Sequence, residues 1–164
     1  MSDISFERRG ALTYAAVVVE VTMDTLAEAI PVAHEEIERY LGSRGIEPAG
    51  PSIIRYRSIS FDAPFTIECG WVIEEGQWIE SPYIADLLDE GTYVVARHDG
   101  PYSGVGHTTE EAMTWGEAND ARFNVLVGEA GDEWACWYEY YPTEPAMGPE
   151  GLQGRVDVCL LTRR

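Results

Sequence analysis

Apolar residues recur along this chain in two rhythms, and the rhythms alternate. Tyr14–Val21 carries Val17, Val18 and Val19 in a nearly continuous β-branched run, the pattern of a buried strand. Leu26, Ile30, Ala33, Ile37 and Tyr40/Leu41 then follow a helical period, with His34, Glu35, Glu38 and Arg39 on the polar side. Thr25 and Glu28 have capping-box spacing. Pro31 suits a first turn, so the main helix is expected to begin near Ile30 and to stop at Gly42 and Gly45. Ile53–Arg57 reads as a short strand. Phe65–Glu74 reads as a longer one, with Ile67, Cys69, Trp71 and Ile73 on one face. Residues 76–89 read as a connection.

The same order then returns. Thr92–His98 is a strand pattern, and Asp99-Gly100-Pro101-Tyr102 a turn. Thr108 and Glu111 repeat the capping-box spacing ahead of a helix running to about Phe123, which Gly116 weakens by about 1 kcal/mol. Glu133–Tyr141 is an aromatic strand ended by Pro142. A Pro/Gly-rich loop, 142–154, precedes a last strand, Val156–Leu161. The order is strand–helix–strand–strand, twice. It predicts a single α+β domain over 1–164, with repeat one at about 10–80 and repeat two at about 88–162. Each repeat buries one helix on an antiparallel sheet, with a cleft where the repeats meet.

Charge narrows the function classes. The 164 residues include 29 acids and 11 basic residues, a net charge of −18. All the basic residues are arginine, so Schiff-base and P-loop lysine chemistry is excluded. Such a surface disfavours direct contact with nucleic acid or anionic membranes and attracts cations or basic partners. The N-terminal ten residues lack a signal-peptide core, and no run is long enough to span a bilayer. Cys69, Cys136 and Cys159 are odd in number, widely spaced and set in apolar runs. They read as reduced thiols of a cytoplasmic protein. No metal-ligand spacing, nucleophile elbow or dinucleotide fingerprint occurs, so neither metal nor cofactor is expected.

The candidate chemistry lies in the aromatic strand. Alternation sets Trp137, Glu139 and Tyr141 on one face and Cys136, Tyr138 and Tyr140 on the other. The first face holds one carboxylate between two large rings, suited to a flat or cationic organic molecule. A plain strand with one exposed acid has the same pattern, since Glu is seldom buried.

Several segments together resemble the GyrI-like small-molecule-binding domains, of the SOUL/SHS2 type. Gly50-Pro51 precedes a strand containing Tyr56. Leu88, Gly91, Tyr93, His98, Gly100, Pro101 and Tyr102 resemble one family segment. Glu139, Tyr141, Glu144 and Pro145 resemble its "E.Y..[DE]P" signature. The resemblance covers about residues 10–162. It implies a duplicated fold with an aromatic cleft and an acidic floor, the effector-binding unit of multidrug-responsive bacterial regulators. By position the acid is Glu139. Trp137, Tyr141, Trp71, Tyr56, Tyr102 and Trp115 are the candidate ring residues, and His98 reads as structural. The length leaves no room for a helix-turn-helix domain, so a stand-alone member is expected. The implied ligand is a lipophilic or cationic aromatic small molecule, a xenobiotic, that is bound or sequestered. A second implication is a hydrolase that opens the cyclopropane ring of DNA-alkylating natural products, with Glu139 as the catalytic residue. A third is an acidic protein-interaction module like the family's gyrase inhibitor.

Overall fold

The computed structural model describes residues 3–163. Its strands are β1 (Asp3–Arg9), β2 (Leu12–Val21), β3 (Ser52–Tyr56), β4 (Ser58–Ile59), β5 (Phe65–Val72), β6 (Ile84–Leu88), β7 (Gly91–Pro101), β8 (Val125–Leu126), β9 (Asp132–Trp134), β10 (Trp137–Tyr141), β11 (Ala146–Gly148) and β12 (Gly151–Leu161). Its helices are α1 (Leu26–Ser43) and α2 (Val105–Ala118). The main sheet runs β1-β7-β12-β10-β3-β5-β2-β6, antiparallel throughout, and β11 adds to β12. β4, β9 and β8 form a small second sheet.

The strand order reads the same from either end. β2, α1, β3 and β5 make the first repeat, and β7, α2, β10 and β12 the second. They meet where β3 pairs with β10. The outer edges are exchanged: β1, which precedes the first repeat, pairs with β7 of the second. β6, which precedes the second repeat, pairs with β2 of the first.

Two cores result. One joins Ala33, Ile37 and Leu41 of α1 and Val105 and Ala112 of α2 to the sheet face carrying Ile54, Ile67, Trp137 and Val158. The other face carries Tyr14, Ile53, Tyr93, Tyr138 and Cys159, and is buried with no helical residue over it. The sheet curls around that face and covers it itself. Charged side chains are accommodated there by pairing. Arg55 donates to the Ala135 carbonyl at 2.8 Å, the Leu87 carbonyl at 2.8 Å and the Tyr14 hydroxyl at 3.0 Å. Buried Glu68 accepts from Arg57 at 2.7 Å and from Tyr14. Buried Asp157 meets Arg9 and Arg155, each at 3.1 Å. Removing one partner from such pairs costs more than the pair contributes, because a desolvated charge remains.

Several boundaries differ from the sequence expectation. α1 begins at Leu26 and contains Pro31. Pro31 and Ala27, whose carbonyl loses its partner, are both on the exposed side, so the gap is harmless. Neither capping box forms. Thr25 Oγ1 accepts from the Thr22 N–H at 2.9 Å, and Thr108 lies inside α2, hydrogen-bonded to His98 Nδ1 at 2.9 Å. α2 stops at Ala118, and Asp120 takes a left-handed φ of 62° where the chain turns back. Asp99-Gly100-Pro101 is no turn; it extends β7 against Gln153–Arg155 of β12. The aromatic strand is two strands, broken at Ala135-Cys136. The expected connection 76–89 and loop 142–154 contribute β6 and β11, and the polar N-terminus supplies β1.

Candidate functional site

The two helices pack on opposite flanks of one sheet face. α1 packs on β2 and β5, and α2 packs on β7 and β12. The strip between them is floored by the central pair β3 and β10. Their register sets Glu139 opposite Ile54 and Tyr141 opposite Ser52. Residues paired across strands share a face, so all four point into the groove. A pseudo-twofold axis through the Glu139–Ile54 pair equates Glu139 with Ile54 and Tyr141 with Tyr56. The acid therefore has an apolar twin and stands once per groove.

Glu139 is buried, with 5% of its surface exposed. Its Oε1 accepts from the Tyr141 hydroxyl at 2.6 Å, and Tyr56 also donates to the carboxylate. Burial holds its carboxyl above the usual range, and the two phenols oppose that shift. Among the described residues no arginine or histidine pairs with it. Burial also raises Tyr56 and Tyr141, with the Glu139 charge adding to the effect. Both hydroxyls stay protonated and remain donors.

The rings close over this carboxylate from two sides. Toward one end, Trp137 stacks on Tyr56 with centroids 4.4 Å apart, and Trp134 meets Trp137 edge-on at 5.4 Å. Trp137, Tyr56 and Trp134 are all buried. At the other end, Tyr102 meets Tyr141 edge-on at 5.5 Å. Trp71 pairs with Ser52, the neighbour of Tyr141, so it flanks the same end from the first repeat. Tyr102, Tyr141, Trp71 and Ser52 are only half-buried. The groove is thus packed at its Tyr56 end and looser at its Ser52 end. Among the described residues, four ring donors along the strip are buried without a hydrogen-bond partner: Trp134 Nε1 and Trp137 Nε1 at its Tyr56 end, and Trp71 Nε1 and Tyr102 OH at its Ser52 end. Each such donor costs about 1–3 kcal/mol if left unmet.

Six of the seven residues singled out in the sequence lie on or beside this strip. Trp115 does not join them; it packs on Phe6 of β1 at 5.1 Å, at the sheet's edge. Tyr83 stacks on Tyr40 of α1 at 4.2 Å, and Trp78 is exposed. His98 is structural, fixed by Thr108 and by the Pro101 carbonyl at 2.6 Å. Trp134 is the ring that sequence reasoning missed, because the strand breaks directly after it. An open hollow of about 1000 Å3 lies elsewhere, lined by Leu87, Trp134, Leu161 and Arg163 among others; Glu139 does not border it. Among the described residues, no three His, Cys, Asp or Glu side chains cluster as metal ligands, and no helix is long and apolar enough to cross a membrane.

Neither protein-family models nor curated proteins match the sequence. Solved structures do match its fold. The C-terminal domain of EcmrR superposes with a TM-score of 0.72 at 13% identity, over 100% of this chain and 99% of that domain. The chain has the GyrI-like fold. SAV2435, solved bound to tetraphenylphosphonium, shares this fold with a TM-score of 0.62 at 9% identity, over 98% of this chain and 94% of that one. A hydrolase from Listeria innocua gives 0.56 at 16% identity, over 97% and 91%. Against EcmrR in its DNA complex, the chain spans 57% of that protein's length. The GyrI-like arrangement explains why the six ring and acid residues converge: three strands and the turn after β7, from two repeats, deliver them to one strip.

Proposed function

We propose that this protein binds lipophilic aromatic small molecules, cationic ones preferentially, in the groove between α1 and α2. The observation that carries the reading is Glu139, a buried carboxylate beside aromatic side chains and held by two phenols, with no cationic side chain beside it among the described residues. A desolvated charge favours an opposite charge strongly. Aromatic faces add about 0.5–2 kcal/mol per contact with a cation. That SAV2435 was solved with tetraphenylphosphonium suggests a first probe. The protein is expected to bind this cation with saturable quenching of tryptophan fluorescence. Glu139→Gln is expected to weaken it about tenfold, from loss of one buried ion pair. Equal affinity in the two proteins removes Glu139 from recognition.

A second reading, hydrolysis, draws on the raised Glu139 carboxyl and on the fold shared with the Listeria hydrolase. In it Glu139 accepts a proton from water as the water oxygen bonds to a strained ring carbon; the ring C–C bond breaks, its electron pair passes to an electron-withdrawing group conjugated with the cyclopropane, and that group takes up the proton, for a net addition of one water. The two phenol hydrogen bonds weaken Glu139 as a base, which is why binding stands first. Incubation with a cyclopropane-bearing alkylator decides: a mass gain of one water, lost in Glu139→Gln, supports turnover.

A further inference from the structure

Glu139 is already solvated by two hydroxyls, whereas the ring donors around it are not. Trp137 and Trp134 hold their unpartnered indoles in the packed end, Trp137 stacked on Tyr56 and Trp134 tilted against Phe123. Trp71 Nε1 and Tyr102 OH differ, because their rings are half-buried at the looser Ser52 end. They come from different repeats and flank the Tyr141–Ser52 pair, which adjoins the carboxylate. Tyr102 is set by its edge-on contact with Tyr141 and by Gly154, where a Cβ would stand 3.2 Å from its hydroxyl. Both donor atoms are buried, so a ligand oxygen reaches them only where these half-buried rings part.

We infer that this groove selects ligands carrying a hydrogen-bond acceptor oxygen, a carbonyl or ether, at the Ser52 end, where Trp71 Nε1 and Tyr102 OH donate to it. The inference rests on the groove being the ligand site. It adds that aromatic area and charge alone make a poor ligand. The packed Trp137–Tyr56 end takes no polar group, so the ligand is two-ended, with its apolar rings toward Trp137 and its oxygen toward Trp71. Polarity mismatch is the discriminating element: an acceptor-free molecule leaves both donors buried and unmet, and is rejected for that reason.

The test uses matched probes that differ in one acceptor. Triphenyl(4-acetylphenyl)phosphonium and triphenyl(4-isopropylphenyl)phosphonium have the same shape and charge. 4-Acetylbiphenyl and 4-isopropylbiphenyl are the neutral pair. Affinities are measured by calorimetry on the intact protein and on Trp71→Phe and Tyr102→Phe, which keep an aromatic ring at each position and remove the donor. The intact protein is expected to prefer each acetyl probe about tenfold, the worth of one to two buried hydrogen bonds. The Phe variants are expected to erase that preference, and any contact area they lose weakens acetyl and isopropyl binding alike. Equal affinity for acetyl and isopropyl probes in the intact protein overturns the inference, as does a preference that survives both substitutions. If only the neutral pair binds, with the acetyl preference intact, the inference stands and the cation preference falls. If no probe binds, both fall.

Discussion

At the scale of single residues, Glu139 couples the site to stability. Strand alternation alone sets this acid between Trp137 and Tyr141, so that much was legible in the sequence. Its second phenol, Tyr56, was named through the family resemblance, but its bond to Glu139 comes from the pairing of β10 with β3, an association of segments more than 80 residues apart that no local pattern encodes. Burial raises the Glu139 carboxyl above its ordinary value of 4.5. The folded protein therefore holds that proton more tightly than the unfolded chain does. Between 4.5 and the raised folded value, unfolding releases a proton, so stability falls as pH rises; above the folded value the loss is complete. Urea unfolding of the protein and of Glu139→Gln across this range isolates the effect from the other acids. The protein's stability relative to the variant is expected to be greatest at acid pH and to decline toward neutrality. Parallel curves would place Glu139 in a solvated environment.

At the scale of elements, Gly116 shows how a local rule misleads. In a helix interior glycine is worth about 1 kcal/mol less than alanine, so Gly116→Ala reads as a stabilising change. In the folded chain, however, a Cβ at Gly116 would sit 2.5 Å from the Phe123 ring. Phe123 folds back there because α2 ends at Ala118, and it then meets Trp134 at 5.6 Å. Gly116→Ala is expected to destabilise by about 1–2 kcal/mol through overpacking. Chemical denaturation measures it, and adding Phe123→Leu should recover part of the loss. The same competition explains the other element-level differences. Long apolar runs such as Tyr14–Val21, and the helical stripe of α1, were legible because burial on one face enforces their period. β1, β6 and β11 were not, since an edge strand pairs on one side only and carries a half-polar sequence. The break at Ala135-Cys136 was hidden too: Arg55 holds the Ala135 carbonyl from another strand, and that contact is invisible to periodicity.

At the scale of the whole molecule, the exchanged edge strands tie the halves together. The duplicated order suggests two units that unfold separately, since each has a helix and three strands. The topology contradicts that independence. The outer edge of each repeat is closed by a strand lying outside it, β1 on β7 and β6 on β2, and β3 joins β10 across the middle. Both helices share one core with residues of both repeats. A half unfolding alone would bare its partner's edge and strand that core, so partial opening costs nearly as much as complete unfolding. Calorimetry is expected to show one transition, with van't Hoff and calorimetric enthalpies equal. Removing residues 1–10 exposes the β7 edge and separates Phe6 from Trp115. That truncation is expected to lower Tm by about 5 °C or more while keeping the single transition. Two resolved transitions in the intact chain would mean that the repeats hold their folds separately. The groove between them would then open by hinging of whole halves, not by movement of the rings at its Ser52 end.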